Sequence, residues 1–228
     1  MAVPTYVVRV WMPDRPGALG AVASRIGAVR GDLVGIDILE RGAGRAIDEL
    51  VVDLPQHALV SLLVSEIGQV DGVDVEDISP APETPVDARL DALETATVLV
   101  GQPTVPELLD SLAHHAVRDF SADWAAVLEL DRTVPVAAVG AVPPAPWLAA
   151  FVAGSHASAR PVMAEAGPDD VAWADLDAAA HVVLLGRRGR PLRARERRQL
   201  AALARIVDHR WSDLVARGAR RLHPSAAT

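Results

Sequence analysis

The chain has 228 residues and a formal net charge of -8, and it contains no Cys, Lys or Asn. Without Cys there is no disulfide framework, thiol nucleophile or thiolate metal site, and without Lys no Schiff-base chemistry and no P-loop lysine. No apolar run approaches the roughly 20 residues that a membrane helix needs, and the length suits two compact domains.

The N-terminus, Met1-Ala2-Val3-Pro4-Thr5-Tyr6, has no basic stretch ahead of an apolar core. It does not read as a signal peptide, so a soluble, cytoplasmic protein with no membrane partner is expected. Tyr6 to Trp11 is β-branched and aromatic and reads as a strand. A tight loop, Met12 to Gly17, carries two prolines. Leu19, Val22, Ala23, Ile26 and Val29 then follow helical spacing, with Gly31 as the stop. Leu33 to Arg41 and Ala46 to Leu54 read as strands joined by the turn Gly42-Ala43-Gly44, a hairpin. A second amphipathic helix is expected over Gln56 to Ile67, and Val73 to Ile78 closes the unit as a fourth strand. The order β-α-β-β-α-β packs two helices on one face of an antiparallel sheet.

The prolines of Ser79 to Pro85 mark a stiff linker, placed at 79–87 between a first domain, 1–78, and a second, 88–217. Helices are expected over Asp87–Leu99 and Val105–Val117, and a strand pair over Trp124–Leu130 and Val134–Val139. A helix over Trp147–Ala153 and strands at Val171–Leu176 and Ala180–Gly186 follow. A long helix from Arg193 to Arg217 ends the domain, and 218–228 reads as a flexible tail. In that helix Leu200, Leu203, Val207, Trp211 and Leu214 form a near-heptad seam, which suits packing on its own sheet or a dimer contact. Twelve Arg lie between Arg187 and Arg221. They suit the solvated face of an amphipathic helix, and with the rest of the chain acidic no nucleic-acid partner is expected.

The first 78 residues resemble the ACT family of amino-acid-binding regulatory domains. The resemblance rests on the element order, on the run Asp14-Arg15-Pro16-Gly17-Ala18-Leu19-Gly20, and on Gly35-Ile36-Asp37-Ile38. It implies a ferredoxin-like βαββαβ domain that binds a free amino acid and pairs with a second copy, with ligand sites at the joint. Where such domains often carry Asn in the second strand, this chain carries Asp37, which accepts from an ammonium group but donates nothing. The strand Trp124 to Leu130, and Val183 to Leu192 followed by Glu196 and the last helix, resemble GAF domains, α/β sensor modules. The Asn-Lys-type signature of cyclic-nucleotide binders and Cys-attached bilins are both absent.

The candidate site can also be read from its residues. A helix beginning near Pro16-Gly17 leaves its first N–H groups unpaired and partly positive, a setting for a carboxylate. Gly17 admits a close approach, and Pro16 contributes no N–H. Ala18 and Leu19 open the helix, and Gly35-Ile36-Asp37 would present a carboxylate to an ammonium group. The plainer readings stand beside these: Asp14 as a helix cap, Arg15 as a solvated side chain, Asp37 as simply exposed. His114-His115 diverge on a helix, and Gly154-Ser155-His156 lacks the second glycine of a nucleophile elbow. Trp124, Trp147 and Trp173 suit either a pocket or ordinary core, and His156 or His181 would be needed for any haem.

The expected molecule is therefore a non-catalytic α+β regulatory protein, a homodimer that binds an amino acid. It needs no cofactor and no metal, and a protein partner is possible downstream. The alternatives are a ligand-free interaction scaffold and a small hydrolase using Ser155 and a His.

Overall fold

In the computed structural model the described residues are 3–81, 88–157 and 170–222, and the chain divides into two compact units, Met1–Val86 and Asp87–Thr228. The first unit runs β1 (Thr5–Pro13), α1 (Ala18–Ala28), β2 (Asp32–Gly42), β3 (Arg45–Asp53), α2 (Val60–Ile67) and β4 (Asp74–Pro80). Its antiparallel sheet has the order β2-β3-β1-β4, so β2 is an edge strand. Strand alternation puts Val8, Val10 and Met12 of β1 and Ala46, Leu50 and Val52 of β3 on one face, packed with Ala18, Val22 and Ile26 of α1 and Leu63 and Ile67 of α2. Both helices therefore cover the same side of the sheet, as the element order predicts.

Two local features set the geometry of this unit. The hairpin between β2 and β3 turns on Ala43 and Gly44, both at positive φ (49° and 76°), the mirror-image turn that matches strand twist. Helix α1 ends in a Schellman arrangement, with Gly31 N–H donating to Ile26 O at 3.0 Å and Arg30 N–H to Gly27 O at 2.9 Å. Arg30, at φ 59°, takes the left-handed position that Gly31 would have been expected to hold. Gly31 is needed for space instead: a Cβ there would lie 3.0 Å from Ile26 Cγ2. Strand β2 carries two irregularities against β3, between Leu33 and Gly35 and between Ile38 and Glu40.

Three expected boundaries move. The second helix does not start at Gln56: a 3-10 turn occupies His57–Leu59 before α2. Strand β4 runs through Ser79 and Pro80, and Ala81 N–H still donates to Thr5 O at 2.9 Å, so the linker does not begin at 79. Pro80 is tolerated because β4 is at the edge of the sheet. The remainder of the 79–87 linker, from Pro82, lies outside the described residues. Helix α6 continues to Leu222, so 218–222 is helix and not tail; residues 223–228 lie outside the described residues.

The second unit contains α3 (Ala88–Gly101), α4 (Val105–Asp119), β5 (Trp124–Glu129), β6 (Val134–Gly140), α5 (Ala145–Ala157), β7 (Val171–Leu176), β8 (His181–Gly186) and α6 (Ala194–Leu222). Its antiparallel sheet has the order β6-β5-β8-β7. Both faces are covered: Ala125, Val127, Val183 and Leu185 pack under α3, α4 and α6, while Ala126, Leu128 and Leu184 pack with Leu148 and Val152 of α5. The α6 seam of Leu200, Leu203 and Val207 is buried in this core, and Trp211 and Leu214 pack against it. Three of the five seam residues are thus buried within the unit, and the other two are partly buried against it.

The basic C-terminal stretch is not all solvated. Arg187 is 4% exposed and Arg197 8%. Arg187 donates to the carbonyls of Phe120 (2.6 Å), Arg190 (2.7 Å) and Pro191 (2.9 Å) and pairs with Glu196 at 2.7 Å. A planar fork with five donors is the side chain able to tie a strand end, a turn and a helix start together.

Candidate functional site

The loop Asp14 to Leu19 lies where β1 hands over to α1. Gly17 is the N-cap residue, at φ 88°, ψ -14°, and no side chain caps the helix. Asp14 is therefore not the cap. Its backbone N–H donates to Gly44 O at 2.9 Å and its carboxylate lies 3.9 Å from Arg41 Nε, which ties the loop to the β2–β3 hairpin. Arg15 is 59% exposed and lies 3.7 Å from the fully exposed Asp71, a solvated pair worth little. Pro16 supplies no donor. Ala18 N–H reaches Arg15 O at 3.3 Å and the first helical bond runs from Ala21 N–H to Gly17 O at 3.0 Å. Among the described residues, the Leu19 and Gly20 N–H groups between them find no acceptor.

Strand parity decides what stands near this end. Ile36 and Ile38 pair with Leu50 and Asp48 and share the face that α1 covers; they are 44% and 41% exposed. Gly35 has its place because a Cβ would lie 3.2 Å from Val51 Cγ2. Asp37 pairs with Glu49, the partner of buried Arg9 at 3.2 Å, on the opposite face. Within one chain, the sheet thus separates Asp37 from the N-terminus of α1.

The residue that sequence reading passed over is Asp48. It is 4% exposed, and its Oδ1 has no hydrogen-bond partner. It occupies the core phase of β3, between Ala46 and Leu50, and lies opposite Val10 on β1 and Ile38 on β2. The signal was present as a carboxylate interrupting an apolar alternation, but in an acidic chain it looked like one acid among many. Burial pushes the Asp48 carboxyl above its usual range; the Arg41 charge opposes this and Asp14 adds to it.

A stability prediction follows from that direction. An acid whose folded pKa is raised above its unfolded value of 3.8 loses stability as pH rises from below that value through the folded one. Asp48→Asn is thus expected to stabilise the protein by about 1–2 kcal/mol at pH 7, the advantage shrinking toward acid. Urea unfolding of both forms across pH measures it; equal midpoints at pH 7 would show that the carboxylate is not penalised.

The other candidates do not converge. His114 and His115 bond through Nδ1 to the Asp110 and Ser111 carbonyls one turn back (2.9 and 2.8 Å) on α4. His156 Nε2 lies 3.2 Å from Asp175 and its ring meets Trp173 edge-on, while Ser155 sits beside it in the regular helix α5, not at an elbow. Trp124 fills the core, whereas Trp147 is 45% exposed and stacks on Phe151, so the tryptophans do not line one pocket. His181 is engaged by the Ala179 carbonyl and the Trp211 ring. No helix among the described residues is long and apolar enough to cross a membrane.

No family model matches the chain, and no curated protein matches it in sequence. Solved structures give partial likenesses. The ACT domain of GTP pyrophosphokinase from Chlorobium tepidum is similar over 35% of this chain and 100% of its own, with 14% identity and a TM-score of 0.29. An uncharacterized protein from Thermotoga maritima matches 36% of this chain and 100% of its own, with 21% identity and a TM-score of 0.29. A formyltetrahydrofolate deformylase from Pseudomonas putida KT2440 matches 43% of this chain and 39% of its own, with 15% identity and a TM-score of 0.29.

Proposed function

We propose that this chain is a non-catalytic, cytoplasmic regulator whose first unit, an ACT-type ferredoxin-like domain, binds a small free amino acid. The observation that carries the reading is the uncapped start of α1. Gly17 holds the left-handed cap position without a side chain, and the N–H groups of Leu19 and Gly20 are left to face an anion. Aligned peptide dipoles favour a carboxylate there, and Pro16, Ala18 and Leu19 add no side-chain acceptor that would compete for those N–H groups. The second unit, read as GAF-like, serves as relay or scaffold, with β8, the turn at Gly189 and α6 as the resembling stretch.

The same reading makes the protein a homodimer. Edge strand β2 exposes Val34, Ile36 and Ile38, at 53%, 44% and 41%. An unpaired edge strand with apolar side chains is a surface that a second strand can cover. Ligand sites beside that edge would then lie near the joint, and a ligand would shift the balance between dimer arrangements if it binds them unequally.

Thermal shift of the full chain against a panel of free amino acids tests the reading. A ligand that binds only the native state stabilises by about 2.7 kcal/mol at a hundredfold excess over Kd. Gly17→Val is expected to abolish the shift, since a β-branched residue is strained at φ 88°. An unshifted protein across the panel would leave the scaffold reading in its place, with a protein partner captured independently of any amino acid.

A further inference from the structure

We propose that Asp14, Arg41 and Asp48 form a latch in the first unit that is worked by the ionisation of Asp48. Arg41 holds Asp14, and with it the loop that leads into α1, while Asp48 is protonated. It turns to Asp48 when that carboxyl loses its proton. The latch needs no ligand and does not depend on the amino-acid reading of this unit.

The second irregularity of β2 makes the arrangement possible. Ile38 pairs with Asp48, but Glu40 pairs with Ile47 and Arg41 with Ala46, so Leu39 is an extra residue on this strand. In unbroken register Glu40 would stand opposite Ala46, on the face that Asp48 shares. The inserted residue brings Arg41 to that face and sends Glu40 to the other, so a cation replaces an acid. Asp48 lies two positions beyond Ala46 on β3, which makes it the diagonal neighbour of Arg41. Diagonal positions are about 7–8 Å apart, a span that a long side chain crosses.

Arg41 thus stands between two acids. Its Nε lies 3.9 Å from Asp14 Oδ1, and both of those side chains are exposed. Asp48 is buried, and its Oδ1 has no hydrogen-bond partner. The charged groups that face Asp48 are Arg41 from β2 and Asp14 from the loop. On the same side of the sheet β1 presents Val8, Val10 and Met12, α1 presents Ala18, Val22 and Ile26, and α2 presents Leu63 and Ile67, none of which titrates. Arg25 of α1 is engaged with Glu66 of α2 at 3.0 Å. An exposed ion pair is worth little, whereas a buried carboxylate is costly to leave unpaired. Ionised Asp48 is therefore the stronger claimant on Arg41. Asp14 then keeps its backbone bond, N–H to Gly44 O at 2.9 Å, and loses its side-chain tie to the hairpin. Burial holds the Asp48 carboxyl above its ordinary range, so the exchange takes place at a higher pH than an exposed aspartate would set.

NMR titration of the full chain tests the latch. The Asp48 side-chain carboxyl carbon shift follows its ionisation, and hydrogen-exchange protection of the Asp14 amide, taken relative to the intrinsic rate at each pH, follows the loop. Protection is expected to fall about two- to fivefold as Asp48 ionises, the size of one exposed ion pair, with the same midpoint as the carboxyl shift. In Asp48→Asn the fall should vanish, with protection staying at the level of the protonated parent. In Arg41→Gln, a change at an exposed position that leaves the core intact, it should also vanish, with protection at the lower level throughout. Asp37→Asn, on the opposite face, should behave as the parent does. Constant protection of Asp14 through the Asp48 titration overturns the proposal. So does a fall of the parent's size in Asp48→Asn or in Arg41→Gln.

Discussion

Arg187→Met is expected to destabilise the second unit by about 3–5 kcal/mol, the range found when one member of a buried ion pair is removed. The side chain is 4% exposed and serves the Phe120, Arg190 and Pro191 carbonyls as well as the Glu196 carboxylate. Methionine fills a similar volume but donates nothing to those carbonyls or to Glu196. Arg187→Lys should fall between, because a single ammonium cannot reach a fork of acceptors at once. Arg205→Met, on an exposed position of α6, is the control and should change stability by less than about 0.5 kcal/mol. Four of the five tryptophans, Trp124, Trp147, Trp173 and Trp211, belong to this unit, so urea unfolding followed by fluorescence reports on it. A loss of under about 1 kcal/mol for Arg187→Met would mean that the acceptors find other donors.

Gly140→Ala should cost about 3 kcal/mol, through two terms that act together. Gly140 closes β6 at φ 79°, and a Cβ there would lie 2.1 Å from the Asp123 carbonyl oxygen and 3.0 Å from Trp124 Cα. Both obstacles are backbone, so no rotamer change relieves them, and Trp124 is the ladder partner of Gly140. Gly189 isolates the dihedral term: it has φ 70°, and a Cβ would meet nothing within 4 Å. Gly189→Ala should therefore cost only about 1 kcal/mol. Matching losses at the two positions, read from chemical denaturation, would show that backbone conformation alone sets the cost.

The element order was legible because periodicity is a local property. Apolar spacing at Leu19, Val22, Ile26 marked α1, and alternation marked β1, β2 and β3 before any contact was known. The Schellman end of α1 was half legible. Gly31 flagged the stop, but the left-handed residue is Arg30, and only the contact with Ile26 explains the glycine. What local pattern could not give was phase relative to a partner strand. Asp37 and Asp48 are both acids flanked by isoleucine on at least one side, yet pairing with Glu49 sends one away from α1 and pairing with Val10 and Ile38 turns the other beneath it. The resemblance drew attention to Asp37, and register sets Asp37 on the face away from α1 and Asp48 on the face toward it. Arg187 was hidden for a related reason. Twelve arginines in one stretch read as a solvated face, and nothing local distinguishes the one that folds back onto the Phe120 carbonyl.

The two irregularities of β2 bear on how this edge would discriminate among strands. Between them, Gly35 to Ile38 pairs in unbroken register with Val51 to Asp48, and register resumes beyond the second kink with Glu40 to Gly42 against Ile47 to Arg45. A strand laid along the free side would meet a short pleated window bounded by kinks. Sliding by one residue would exchange isoleucine for aspartate at the contact. An indiscriminate β-rich segment gains little from so brief a stretch, whereas a copy with kinks at the same separation matches along its length. In the homodimer proposed above, the edge would thus tell self from other by the placing of its irregularities, more than by how apolar it is.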